Sequence, residues 1–289
     1  MLPPRFEYHR ATSVEEAVEL LGAHGDDAKV LAGGQSLIPL LKFRLAAPGH
    51  LVDLNRVGDL DRLSEEGGGL RIGALVRHAR IEREVSLRDR YPTIAAAAPL
   101  ISDPLVRNLG TVGGSLAHAD PSGDWGAVML AVGATVIARS PRGQREIPIG
   151  GFFRDTFTSA LEPDEVLTEV RVPAPGGPVG GTYLKLERKV GDFATVAVAV
   201  HVEMDDGRIG RAGIGLAAVG PMNLRAEEAE RALAGTEPSE EAFAEAGRLA
   251  AAVASPVSDV RGSAEYKRHV VEVFVRRGLA RAVEMARAA

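Results

Sequence analysis

Cysteine is absent from the 289 residues of this chain, and its absence removes several kinds of chemistry. A disulfide framework and a thiol nucleophile are both excluded. Iron–sulfur clusters are held by cysteine thiolates, so any cluster that works with this chain must lie on another polypeptide. The seven histidines are scattered along the sequence without the spacing of a metal motif, and we expect no metal site.

Long apolar runs are missing as well. The longest, Ala127–Ala138, is well short of the roughly 20 residues that a membrane helix needs, and the first ten residues show no apolar signal segment. We therefore expect no membrane span and a cytoplasmic location. The net charge of -5 argues against nucleic acid as the main partner. The remaining composition, 45% hydrophobic and 25% charged, is that of a globular protein large enough for two or three packed units.

The N-terminal part alternates predicted helices and strands. Ser13 and Glu16 form a capping box in front of an apolar helical stripe. A short strand, Lys29–Ala32, ends at the pair Gly33-Gly34, and Leu51–Leu54 is a second predicted strand. This order indicates an α/β unit with a glycine loop at the carboxyl end of a strand, where ligands of α/β folds often bind.

The rest of the chain divides at a break rich in proline and glycine, residues 173–181. Before it, residues 81–98 favour helix and residues 104–114 are interpreted as part of a long loop. After it, strict alternation over residues 195–202 predicts a half-buried strand, and helices follow. We therefore predict an α+β fold in three parts: two α/β subdomains, residues 1–56 and 57–174, and a C-terminal domain of antiparallel sheet and helices, residues 180–289.

Two glycine-rich loops carry the chemistry. The first is Ala32-Gly33-Gly34-Gln35-Ser36, and the second is Gly110-Thr111-Val112-Gly113-Gly114-Ser115. Adjacent glycines let a backbone approach a ligand closely, and successive amides form a nest for phosphate oxygens. Each loop adds hydroxyl donors, and the pair suits a diphosphate. Asp120 and Asp124 could accept from sugar hydroxyls, although plain turns and a solvated acidic loop explain the same residues.

A third glycine pattern, Gly213 to Ala218, matches a loose dinucleotide-binding motif. It lies inside a strand-like run, and the required strand–turn–helix context is missing. We interpret it as strand.

The paired motifs resemble the FAD-binding subunit of molybdenum hydroxylases, a family that includes the medium subunit of aerobic carbon monoxide dehydrogenase and the flavin domain of xanthine dehydrogenase. The resemblance rests on Ala32-Gly33-Gly34-Gln35-Ser36-Leu37-Ile38-Pro39 and on Thr111-Val112-Gly113-Gly114-Ser115-Leu116-Ala117-His118-Ala119-Asp120-Pro121. It continues through Tyr183–Arg188 and Gly191-Asp192-Phe193-Ala194, and it implies a PCMH-type FAD-binding fold.

The resemblance also implies roles for single residues. Both glycine loops should contact FAD, chiefly its pyrophosphate, and Asp124 matches an acidic position near the cofactor. Lys185 matches a lysine beside the isoalloxazine ring, although a solvated strand lysine is the other interpretation. Phe193 stands where relatives often have Tyr or Trp, which puts a gating role in doubt, and Gln35 replaces a commoner His. The predicted site is completed by apolar residues lining the flavin: Ile101, Leu161 and Leu167.

The expected function is electron transfer through FAD, with no catalytic acid, base or nucleophile in this chain. A molybdopterin-binding large subunit and a [2Fe-2S] small subunit are the expected partners, in a hetero-oligomer with duplicated subunits, and quinone or NAD is the expected acceptor. Two other functions stay open. One is a self-contained FAD enzyme of the UDP-N-acetylenolpyruvoylglucosamine reductase type, and the other is a scaffold without cofactor.

Overall fold

The computed structural model describes residues 2–289, and its first sheet is formed by the N-terminal segment. The elements of this segment are β1 Glu7–Arg10, α1 Val14–His24, β2 Ala28–Leu31, α2 Leu37–Phe43 and β3 His50–Asp53. The strands run parallel in the order β1–β3–β2. Ser13 accepts from the amide of Glu16, and the Glu16 carboxylate accepts from the amide of Thr12, so the predicted helix start is confirmed.

The second sheet belongs to the middle of the chain. The elements of this segment are β4 Leu63–Glu66, β5 Gly69–Gly73, α3 His78–Arg83, α4 Leu87–Arg90, α5 Pro92–Ala97, α6 Pro104–Leu109, α7 Val112–His118, α8 Asp124–Val132, β6 Thr135–Ser140, β7 Gly143–Pro148, β8 Phe153–Asp155, β9 Thr158–Ser159 and β10 Val166–Pro173. Strands β8 and β9 pair only with each other, in a small sheet of their own. Five strands pair in the order β4–β5–β10–β6–β7, and every pairing is antiparallel. The α+β class is thus confirmed, with an antiparallel sheet in this second subdomain.

The long loop predicted over residues 104–114 is wrong. Asp103 accepts from the amide of Val106 and begins α6, which has Pro104 in its first turn. Thr111 accepts from the amide of Gly114 and begins α7. Both helices are short and begin at a side-chain cap. The glycines of α7 are tolerated because the helix packs closely against its neighbours. An ideal Cβ on Gly113 would lie 2.6 Å from the Cβ of Ala74.

The third sheet forms the C-terminal domain. Its elements are β11 Val179–Leu186, β12 Val196–Asp205, β13 Arg208–Ala217, β14 Leu224–Arg225, α9 Glu227–Leu233, α10 Glu240–Val253 and α11 Ala264–Ala288. The strands are antiparallel in the order β11–β12–β13–β14. Each of the three larger sheets lies in one predicted part of the chain, except that β11 begins at Val179, one residue before the third part. The boundaries of the parts stay predictions.

The strand β12 is buried on both faces, so the predicted half-buried strand is wrong. Helix α11 covers one face, where an ideal Cβ on Gly180 would lie 1.8 Å from the carbonyl oxygen of Ala282. Helix α8 covers the other face, where a Cβ on Gly213 would lie 1.8 Å from the carbonyl oxygen of Ala131. The motif-like glycines of β13 therefore serve helix–sheet packing, and their interpretation as strand is confirmed.

Within residues 2–289, no helix combines the length and the apolar character that crossing a bilayer requires.

Candidate functional site

The two glycine loops lie against each other. An ideal Cβ on Gly33 would fall 2.3 Å from the carbonyl oxygen of Leu109 and 2.8 Å from the Cα of Gly110. A Cβ on Gly114 would come within 3.5 Å of the Cβ of Ala32. Two backbones can meet this closely only where one of them has no side chain. The structure therefore brings the predicted loops together into one site.

A small polar network fastens the first loop to the second. The Nδ2 group of Asn55 donates to the carbonyl oxygen of Ala32 at 2.9 Å. The guanidinium of Arg77 donates to Oδ1 of Asn55 at 2.6 Å and also to the carbonyl oxygen of Leu109. Asp53, at the end of β3, orients Asn55 by accepting from the backbone amide of Asn55 at 2.8 Å. Sequence reasoning missed Asn55 and Arg77, because neither stands next to a glycine motif.

The two loops differ in the backbone donors that they leave free. The amides of the second loop are used inside the protein: Val112 donates to Val76, Gly113 to Ala74, Gly114 to the Thr111 hydroxyl and Ser115 to the Thr111 carbonyl. In the first loop, the amides of residues 33–36 donate to no group of the described chain, residues 2–289. A run of free amides is the arrangement that binds phosphate oxygens. Apart from the amide of Thr111, the free backbone donors of the two loops thus lie in the first loop.

The conformation of the first loop depends on its own residues. Gly34 has φ of +74°, a left-handed value that favours glycine. The side-chain amide of Gln35 donates to the carbonyl oxygen of Gly33 at 3.3 Å, which closes the turn. Ser36 does not cap α2 with its exposed side chain, so its hydroxyl stays available to a ligand. Leu37 is the first residue of that helix.

A buried histidine supports the second loop. The His78 amide donates to the carbonyl oxygen of Gly110 at 3.1 Å, and Nε1 of Trp125 donates to Nδ1 of His78 at 2.9 Å. Burial lowers the pKa of His78 to about 4, with a smaller contribution from the charges of Arg77 and Arg107. The imidazole is therefore neutral at pH 7. Sequence reasoning missed both His78 and Trp125, which lie 47 residues apart.

This pKa predicts an acid-sensitive stability. The pKa of His78 is about 6.5 in the unfolded chain and about 4 in the folded one. The neutral imidazole therefore makes its full contribution to the free energy of unfolding above pH 6.5, and this contribution is lost as the pH falls to 4. The expected loss is about 3 kcal/mol. The free energy of unfolding, measured in urea at several pH values, should fall by this amount between pH 6.5 and 4 in the native chain. In His78→Gln this dependence on pH should be lost. An unchanged slope in His78→Gln would show that other groups cause the acid sensitivity.

A second cluster joins α8 to β11. Asp124 accepts from the hydroxyl of Tyr183 at 2.6 Å and from the ammonium of Lys185 at 3.2 Å. Lys185 also donates to the carbonyl oxygen of Leu100 at 3.0 Å, and its side chain is only 2% exposed. Tyr183 and Lys185 reach the same carboxylate because alternate residues of a strand share a face. The interpretations of Asp124 and Lys185 as solvated residues are therefore wrong.

Burial dominates the electrostatics of this cluster. It raises the pKa of Asp124. The nearby charge of Lys185 and the hydrogen bond from Tyr183 act in the opposite direction and lower this pKa. Burial and the neighbouring carboxylate of Asp124 also hold the pKa of Tyr183 well above its usual range. The carboxylate of Glu187 lies 3.6 Å from the Lys185 ammonium, and its Oε2 atom is buried without a hydrogen-bond partner in residues 2–289. Lys185 is thus a buried cation held between two carboxylates.

A cavity of about 270 Å³ lies between the segment after α7 and the C-terminal domain. Asp120 and Phe193, both predicted site residues, line it together with Arg261. Phe193 is 56% exposed, so much of its side chain is accessible. Asp192 accepts from the guanidinium of Arg261 at 3.3 Å and so fixes one wall of the cavity.

The remaining predicted residues lie around these groups. Ile101 and Leu167 are buried in one apolar core with Val112, and Leu161 packs against the edge of that core. His118 is half-buried with its ring 5.1 Å from that of Phe157, and burial lowers its pKa. The apolar residues therefore back the second loop.

Comparison with known proteins agrees with this architecture. The family model described as "FAD binding domain in molybdopterin dehydrogenase" matches residues 4–175, and the "CO dehydrogenase flavoprotein C-terminal domain" matches residues 181–282. The chain therefore belongs to the family of FAD-binding subunits of molybdopterin dehydrogenases.

Individual relatives cover nearly the whole chain. The carbon monoxide dehydrogenase medium chain of Hydrogenophaga pseudoflava is 43% identical over 96% of this chain and 97% of its own length. The 6-hydroxypseudooxynicotine dehydrogenase complex subunit alpha of Paenarthrobacter nicotinovorans is 40% identical over 99% and 97%. A solved structure of carbon monoxide dehydrogenase from Hydrogenophaga pseudoflava, lacking the Mo-pyranopterin moiety of its cofactor, matches with a TM-score of 0.96 and 44% identity over 99% of both chains. The resemblance stated from the sequence is confirmed.

Proposed function

We propose that this chain carries FAD between its two glycine loops and passes electrons from an iron–sulfur subunit to an external acceptor. Family membership makes it an FAD-binding subunit of a molybdenum hydroxylase. The observation that carries the assignment to these loops is their direct contact, together with the free amides of the first loop. A dinucleotide site needs a backbone that the ligand can approach closely and backbone amides that are free to donate to phosphate oxygens. This site offers both.

The residues present fit the cofactor. The free amides of residues 33–36 would bind the pyrophosphate, assisted by the Ser36 hydroxyl. Thr111 uses its oxygen to accept from Gly114, so its hydroxyl proton remains to donate. The second loop therefore contributes close approach and hydroxyl groups, and the amides of residues 112–115 hold α7 in place. Arg77 and Asn55 keep the two loops at a fixed separation.

Bound FAD supplies the redox chemistry, because it exchanges single electrons as well as pairs, while the protein supplies orientation and electrostatics. By family resemblance, Lys185 lies beside the isoalloxazine ring. In this structure Asp124 and Leu100 hold the ammonium in one position, and Tyr183 orients the carboxylate. These residues fix a buried positive charge. The accessible ring of Phe193 and the cavity beside it offer an approach for the acceptor, which we propose to be quinone or NAD.

The partners follow from what this chain lacks. Without cysteine it holds no iron–sulfur cluster, so the cluster expected from its family would lie on a separate small subunit. A molybdopterin-binding large subunit would perform the substrate chemistry, in an assembly with duplicated subunits. Relatives named for different substrates are 43% and 40% identical to this chain. Since this chain is about equally similar to relatives with different substrates, we place the choice of substrate on the large subunit.

The proposal is tested by the cofactor and by the electron source. The purified chain is expected to show a flavin spectrum, or to bind FAD with one-to-one stoichiometry when titrated. Reduction of its flavin is expected to require the iron–sulfur and molybdenum subunits. NADPH-driven turnover by the isolated chain would instead support the self-contained reductase, which the family matches do not favour. Absence of FAD even in the co-expressed complex would contradict the proposal.

A further inference from the structure

Three histidines that are distant in sequence meet at one edge of the first sheet. His9 lies in β1, His24 is the last residue of α1, and His50 is the first residue of β3. The Nε2 atom of His9 lies 2.9 Å from Nδ1 of His50, and the rings of His24 and His50 stack with their centroids 3.6 Å apart. All three side chains are half-buried. The spacing of these residues in the sequence gave no sign of this cluster.

The geometry of the cluster suits a metal ion. One nitrogen from each ring lies within 4.8 Å of the other two. Ligand nitrogens on a tetrahedral ion with bonds of about 2.0–2.1 Å are separated by roughly 3.3 Å, so the three nitrogens would have to approach one another by at most about 1.5 Å. The rings of His24 and His50 are nearly parallel, with an interplanar angle of 16°.

The surroundings favour a cation. His24 ends α1, and the carboxyl end of a helix carries a partial negative charge. The carboxylate of Glu7 lies 3.7 Å from Nδ1 of His50 and is 75% exposed, so it is free to turn toward the cluster. A second carboxylate, that of Asp27, accepts at 2.7 Å from the amide of Gly49, the residue before His50.

We propose that His9, His24 and His50 form a binding site for a divalent transition metal ion of the zinc type, with Glu7 or water as the fourth ligand. Imidazole suits zinc, copper and nickel, whereas calcium and magnesium prefer oxygen ligands. The absence of cysteine leaves nitrogen and carboxylate ligands only. The expectation of no metal site followed from sequence spacing, and it does not apply to ligands that the fold assembles from three separate elements.

The site is separate from the flavin loops. His50 pairs in register with Ala28, the first residue of β2, whereas the first glycine loop follows the last residue, Leu31. Strands rise about 3.3 Å per residue, so roughly 10 Å of strand separates the two positions. A bound ion would link β1, β3 and the end of α1. It would therefore stabilise the unit that carries the first glycine loop without contacting FAD.

The test uses the full chain after dialysis against a chelator, with Co²⁺ as a coloured probe and Zn²⁺ for stability. We expect one Co²⁺ per chain, with a visible absorption band that saturates at that ratio. Replacements His24→Ala and His50→Ala should each weaken binding at least about tenfold. Zn²⁺ should raise the melting temperature of the native chain and leave that of the variants unchanged.

His269→Ala provides the matched control, because His269 is exposed on α11 and distant in the fold from the cluster. It should bind Co²⁺ as the native chain does. Non-saturating binding by the native chain, or equal affinity in all four proteins, would overturn the proposal. FAD content should not change on metal removal, so failure of this test leaves the flavin assignment standing.

Discussion

Replacement of Gly33 by alanine is expected to lower the affinity of the chain for FAD by about a hundredfold or more. The added Cβ would fall 2.3 Å from the carbonyl oxygen of Leu109, which is backbone and cannot rotate away. The two loops must then separate by about 1 Å, and a misplacement of that size can cost an enzyme about a hundredfold in rate. We expect a similar loss of affinity where two backbones must fit one ligand. The same strain should lower the free energy of unfolding by about 1–3 kcal/mol.

The measurement is an FAD titration followed by flavin fluorescence, with urea unfolding of the cofactor-free chain alongside it. Gly22→Ala is the matched control, because Gly22 is exposed in α1 with nothing within 4 Å of an added Cβ. This control should bind FAD normally and be more stable by about 0.5–1 kcal/mol. If Gly33→Ala folds and still binds FAD like the native chain, the contact between the loops is not part of the cofactor site.

The sequence allowed the loops to be predicted but not the groups that hold them. Glycine pairs are visible because a loop needs consecutive residues without side chains. Asn55 and Arg77 are 22 residues apart and come together only when β3 and the start of α3 are in place. His78 and Trp125 likewise meet through tertiary packing. Such pairs have no local pattern, so a single sequence does not reveal them.

The errors in the predicted fold have similar causes. Glycine and proline in residues 104–114 were interpreted as breakers, yet Asp103 and Thr111 cap two short helices there. The strand β12 alternates in sequence because its two faces meet different helices, α11 and α8, and both faces are buried. Local patterns report propensity, whereas these outcomes depend on which elements pack together.

Lys185→Met is expected to lower the free energy of unfolding by about 3–5 kcal/mol, the usual cost of leaving a buried charge without its partner. The native ammonium is 2% exposed and interacts with Asp124, Glu187 and the Leu100 carbonyl. Methionine fills a similar volume, so the loss should come from charge and hydrogen bonding. Lys42→Met, at an exposed position of α2, is the control and should change stability by no more than about 0.5 kcal/mol.

The pH dependence separates lost charge from lost packing. Burial raises the pKa of Asp124 above 3.8, and Lys185 opposes that rise, so removing Lys185 should raise it further. A group whose folded pKa lies above its unfolded value gains protons first in the folded state. The stability deficit of Lys185→Met should therefore shrink as the pH falls toward 3.8. The double variant Lys185→Met/Asp124→Leu should also recover part of the loss, because it removes the carboxylate that Lys185→Met leaves without its ammonium partner. A deficit that stays constant with pH would mean that Lys185 contributes through packing, and the buried ion pair would then have no part in setting the charge at the proposed flavin site.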